Sequence, residues 1–128
     1  MNVSGYDLKP PYMPTYLELF AGELQKRSHD DQVHFFNAGL PGAKIDWGAA
    51  WVNEYVNGLS PDLVILDFGM NDFWSIPPEE FKGYMEEMIR KIKKANPKTE
   101  IILLSNMKFD PMYVLPNDPL VALFFESK

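Results

Sequence analysis

Two short apolar runs, LVILDF at 63–68 and EIILLS at 100–105, flank a single amphipathic helix pattern. No other feature constrains the fold as strongly. A strand that is apolar at almost every position must be covered on both faces, as in parallel sheets. Strand, helix and strand with short connections imply a parallel pair with the helix as crossover. The helix is expected over 79–95. IPPEEF puts prolines and acids at its start, where missing amide donors and the dipole favour them. Phe81, Tyr84, Met85, Met88, Ile89 and Ile92 form the face to be buried. Lys91, Lys93 and Lys94 sit at the negative end, and Asn96-Pro97 stops the helix.

The same alternation runs upstream. Leu17, Phe20, Ala21 and Leu24 give a helix over 15–27, and VHFF at 33–36 reads as a short strand. NAGLPGAK at 37–44 is a glycine-punctuated turn. Ile45, Ala49, Val52, Val56 and Leu59 line a second helix over 46–57, with Gly58 suited to its stop. Residues 1–14 read as loop, and 106–128 as loop with a short helix from Asp118-Pro119. At 128 residues, 46% apolar and 23% charged, the chain reads as one globular domain over 1–128. A net charge of −6 argues against a nucleic-acid or anionic-membrane surface, and no apolar run approaches a membrane span. Without Cys there is no disulfide, thiolate metal site or Cys nucleophile.

In parallel α/β sheets, ligands bind beyond the carboxyl ends of the strands. Two expected strands end there in unusual turns, VHFF in NAGLPG and LVILDF in GMND. Each turn has a plain reading. Gly39 and Gly42 allow a tight connection, and Asn71 and Asp72 cap the turn that follows. The sharper reading has the Asn71 side-chain amide and the Gly42 backbone amide converging on one point, where two donors would hold a developing negative charge.

NAGLPG and GMND, preceded by PDLVILDF and separated by one helix, resemble the second and third conserved blocks of the SGNH (GDSL-type) esterases and lipases. ANPKTEIILLSNMKFDP resembles the helix end and strand that follow, so the likeness covers residues 15–110. The resemblance implies a flavodoxin-like three-layer α/β/α sandwich with a parallel sheet. It implies hydrolysis of a lipid, acetylated-sugar or small ester, with no cofactor and no metal. It makes Gly42 and Asn71 oxyanion donors, and Asn37, Gly39, Gly69 and Asp72 turn-shaping neighbours. Phe73 and Trp74, directly after GMND, are candidates for a substrate-pocket wall.

The departures lie at both ends. The family's serine nucleophile sits in a Gly-Asp-Ser after the first strand, and no Gly-Asp-Ser occurs here. Its catalytic Asp and His sit in an Asp-x-x-His near the C-terminus, and none lies there. The domain is accordingly expected to be incomplete at both ends, with the nucleophile outside the chain. A chain so cut should neither turn over esters nor fold well alone, because an apolar strand edge would stand open.

Ser4 reads as a loop serine, Ser75 as a local cap and Ser105 as a strand-end hydroxyl. His29 reads as solvated and His34 as a structural histidine on its strand. Asp46, Asp67, Asp72 and Asp110 could be read as a cation site, but no ligand spacing supports it. Trp47 and Trp51 could also shape a pocket, although helix-to-sheet packing is the preferred reading for Trp51. Asn2-Val3-Ser4 matches a glycosylation acceptor, a short and common motif. Two other readings stay open: a non-catalytic α/β module binding an anion at the turn between Gly39 and Gly42, and an inactive remnant.

Overall fold

The computed structural model describes residues 14–28 and 33–105. The chain divides into two compact units, one over residues 2–41 and the other carrying residues 42–128.

The first unit holds helix α1, Tyr16–Ser28. It starts on a reciprocal cap: the Glu18 amide donates to Thr15 Oγ1 at 3.2 Å, and the Thr15 amide donates to the Glu18 carboxylate at 2.6 Å. Two amides left over by the helix start are thereby satisfied. The bond from the Thr15 backbone also holds the Glu18 carboxyl below its ordinary range. Ala21 is buried, and Leu17, Phe20 and Leu24 are half-buried beside it, as their spacing predicts.

Residues 33–40 form no strand. VHFF has strand-forming side chains, but a strand exists only where a second one accepts and donates its ladder bonds. Sheet pairing in the described residues is confined to the second unit. Phe35 and Phe36 are 49% and 70% exposed. His34 is exposed as well, so it is neither on a strand nor a packed structural histidine.

The second unit contains helix α2, Ile45–Tyr55, a 3-10 turn at Asn57–Leu59, strand β1, Leu63–Asp67, helix α3, Pro78–Ala95, and strand β2, Glu100–Leu104. β1 and β2 pair in parallel, with Leu63 opposite Glu100 and Asp67 opposite Leu104. The sequence implied this pairing, and α3 is its crossover.

Three bonds align the strand starts. Thr99 Oγ1 donates to the Pro61 carbonyl at 2.7 Å, the Glu100 amide to the Asp62 carbonyl at 2.7 Å, and Lys93 Nζ to the Thr99 carbonyl at 2.7 Å. Val64, Leu66 and Phe68 alternate onto one face and bury there with Ile45, Ala49, Val52, Ile76, Met88 and Ile92. α2 and α3 therefore share that face. Lys91 ties them together, its Nζ donating to the Ala49 carbonyl at 2.5 Å and pairing with Glu87 at 2.8 Å.

Three local details depart from expectation. α2 stops at Tyr55, and the left-handed residue beyond it is Ser60 (φ 49°), not Gly58. Leu59, expected on the buried face, is 50% exposed, because the change to 3-10 geometry rotates it off the helix stripe. Trp51 lies 46% exposed on the outer side of α2, stacked edge-on to Tyr55, and does not pack on the sheet. The buried side of α2 is taken by Ile45, Gly48, Ala49 and Val52, and position 51 falls outside that stripe.

Candidate active site

β1 delivers the chain to a compact turn. Gly69 follows the buried Phe68 with φ 125°, a backbone region closed to most side chains. The Asp72 and Phe73 amides donate back to the Gly69 carbonyl, at 3.2 and 3.1 Å. The Ser75 and Ile76 amides donate to the Asp72 carbonyl, at 2.8 and 2.9 Å.

Asp72 is fully buried, at 0% exposure, and among the described residues no cation pairs with it. Its carboxylate accepts from two backbone amides instead. Oδ2 takes the Gly69 amide at 2.9 Å, closing the turn, and Oδ1 takes the Ile45 amide at 2.7 Å. Ile45 is the first residue of α2. One carboxylate thus caps that helix and fastens it to the end of β1. It was expected only to shape its own turn. Its reach to Ile45 was not foreseen, although the absence of Lys or Arg from 69–81 left backbone amides as its natural partners.

Asn71, next to it, is half-buried. Its Nδ2 donates to the Ala43 carbonyl at 3.0 Å. An Asn amide nitrogen carries two protons, and this bond uses one. No second partner for Nδ2 is found among the described residues. Gly42 precedes Ala43, is exposed, and takes φ 74°. Its backbone amide also has no hydrogen-bond partner among the described residues. The start of α2 and the GMND turn therefore meet through two hydrogen bonds, one from each of two consecutive residues.

The other candidates are dispersed. Phe73 is buried at 4% and Trp74 is 56% exposed, their rings edge to face at 4.8 Å. Only Trp74 is placed as a surface wall requires. In the first unit, Asn37 Oδ1 accepts from the Gly39 amide at 3.0 Å, a local turn. Ser75 Oγ makes a long bond to the Asp72 carbonyl, and Ser105 is exposed just after β2. Asp46 caps the Trp47 amide at 2.7 Å, and Asp67 ends β1.

Among the described residues no three His, Cys, Asp or Glu side chains could hold a metal ion. Asn2, Ser4, His29, Asp110 and the expected helix at Asp118 lie outside the described residues. One Asp-x-x-His string does occur, at 31–34, ahead of the NAGLPG turn rather than near the C-terminus. Its His34 is exposed.

Where the GMND turn meets the start of α2, both Asp72 oxygens are engaged, and the groups left open among the described residues are two donors, the Gly42 amide and one Asn71 amide proton. The sequence pattern of the GDSL-like Lipase/Acylhydrolase family matches residues 3–124. No curated protein and no solved structure matches the chain. A match over nearly all the chain agrees with the α/β fold and the parallel pair, and the chain belongs to the GDSL-like lipase and acylhydrolase family of ester-bond hydrolases.

Proposed function

We propose that the Gly42 backbone amide and the Asn71 side-chain amide are the oxyanion hole of a serine ester hydrolase. The observation that carries this reading is the bond from Asn71 to the Ala43 carbonyl. It fixes the amide beside the Gly42 turn while leaving one of its two protons available. In ester hydrolysis the carbonyl oxygen becomes an oxyanion in the tetrahedral intermediate. Fixed N–H donors stabilise it without reorganising as the charge develops. A glycine at position 42 lets the acyl group approach the backbone, and an amide such as Asn71 donates at any pH at which an ester is a substrate. The attacking group is a serine hydroxyl activated by a neighbouring base.

The anion-binding reading is weakened at the same place. The Ile45 and Trp47 amides at the start of α2 are already bound by the Asp72 and Asp46 carboxylates. An anion would find those two helix-start amides already occupied, whereas the Gly42 amide and one Asn71 amide proton stay open among the described residues.

The test is turnover of a short-chain aryl ester by the full-length gene product and its Asn71→Ala variant. The expected result is a fall in kcat of about 10²–10³, the usual loss for one oxyanion donor. KM should change little, because the bond strengthens mainly in the transition state. An unchanged kcat with a raised KM would make Asn71 a binding residue and refute the assignment.

A further inference from the structure

We infer that Asp72 is the positioning residue of this site, acting on the reaction through Asn71 and the Gly42 turn. The inference rests on the oxyanion reading above and deepens it. Three observations carry it. Asp72 is the buried acid among the described residues, fully enclosed and without a cation. Its two oxygens hold two different elements, the Gly69 turn at 2.9 Å and the first residue of α2 at 2.7 Å. The parallel bond from Asn71 to Ala43 spans the same gap one residue earlier on the turn and two earlier at the helix start. The two bonds form a clamp whose charged half lies at Asp72.

The chemistry explains why an acid is needed. Both partners are backbone N–H donors, so the side chain must accept at both ends. A carboxylate has two accepting oxygens; an amide has one and offers a donor at the other. Asp72→Asn keeps the shape but sets an NH₂ group against either the Gly69 or the Ile45 amide. One link must open. The turn carrying Asn71 then loses its register with the Gly42 backbone, and a misplacement of about 1 Å can cost on the order of 10²-fold in rate. Asp72 touches no reacting atom, so ground-state binding is expected to survive.

A double-mutant cycle in the full-length gene product tests this, with kcat and KM for a short-chain aryl ester and thermal unfolding for each protein. Asp72→Asn should unfold cooperatively, lose about 10-fold to 10²-fold in kcat and keep KM within about two-fold. In the Asn71→Ala background the same change should cost almost nothing further in kcat, since residues acting as one unit are non-additive. A wild-type kcat for Asp72→Asn overturns the inference, as does a loss that multiplies fully with that of Asn71→Ala. If Asn71→Ala alone keeps its kcat, the oxyanion reading has failed instead.

Should Asp72→Asn not fold, Ile45→Pro replaces it. Proline is tolerated at the first helical position, and Lys44 already has the extended backbone that must precede it. This variant deletes the amide that Oδ1 binds together with the buried Ile45 side chain, and Ile45→Ala is the control for the lost side chain. A kcat at least about 10-fold lower for Ile45→Pro than for Ile45→Ala supports the clamp, and equal kcat values overturn it.

Discussion

Gly42 and Gly48 are required for opposite reasons. Gly42 sits at φ 74° with open space where a Cβ would be, so for the stability of the fold it is the backbone conformation that demands glycine. Gly48 lies inside α2, where alanine has the better helix propensity, yet a Cβ there would collide with Phe68 Cζ and stand 2.9 Å from Phe68 Cε1 and 3.1 Å from Met88 Sδ. Phe68 and Met88 are 5% and 1% exposed, so neither has room to withdraw. Gly48→Ala gains up to about 1 kcal/mol of propensity and meets about 1–3 kcal/mol of overpacking, so a net loss of stability is expected. Gly42→Ala should cost about 1–2 kcal/mol through its left-handed backbone, with core packing untouched. Urea unfolding of the two variants checks both values, and a stabilised Gly48→Ala would contradict the close contact of α2 with the end of β1.

Helix α1 begins on the pair Thr15 and Glu18. Thr15→Ala removes the hydroxyl acceptor and should cost about 1 kcal/mol of helix stability. The Glu18 carboxyl is held low, chiefly by the Thr15 backbone bond. The ionised form is therefore favoured in the folded helix. Its contribution is complete above the ordinary carboxylate pKa and is lost as pH falls through the lowered value. NMR titration of the carboxyl carbon should give a midpoint for Glu18 below that of an unpaired glutamate. An ordinary midpoint would show that the cap does not form in solution.

The larger elements were legible for a plain reason: α1, α2 and α3 each carry a helical period, and β1 and β2 are short, nearly continuous apolar runs. The 33–36 segment was not, because strand character in four residues says nothing about whether a partner is present. That the GMND turn comes close to the Gly42 turn was legible in the two glycine-containing turns, and the bond from Asn71 to the Ala43 carbonyl is the contact that joins them. The reach of Asp72 was not, because its partner Ile45 lies 27 residues upstream and no local pattern marks it. Trp51 misled for a third reason: a large aromatic suggests burial wherever it falls, and only the helix phase places it outside.

On the scale of the whole molecule, two apolar surfaces stand out. Phe36 is 70% exposed in the first unit, and in the second Ile102, Leu103 and Leu104 on β2 are 37%, 52% and 38% exposed. Consecutive apolar residues exposed on a strand are a template for pairing with another chain. The net charge of −6 opposes association only over distances within the screening length. The 128-residue polypeptide is expected to self-associate by light scattering, and Leu103→Lys should reduce this, as lysine does on natural strand edges. A monodisperse monomer at all concentrations would contradict the expectation.

In the proposed function, the end of β1 and the start of α2 together hold the oxyanion of an ester hydrolase. The most direct measurement is a crystal structure of the full-length gene product inactivated by an aryl phosphonate, whose P–O⁻ oxygen mimics the tetrahedral oxyanion. The expected result is a phosphonylated serine with that oxygen about 2.7–3.1 Å from both the Gly42 amide nitrogen and Asn71 Nδ2. An adduct whose oxygen points away from both donors, or the absence of any adduct, would contradict it.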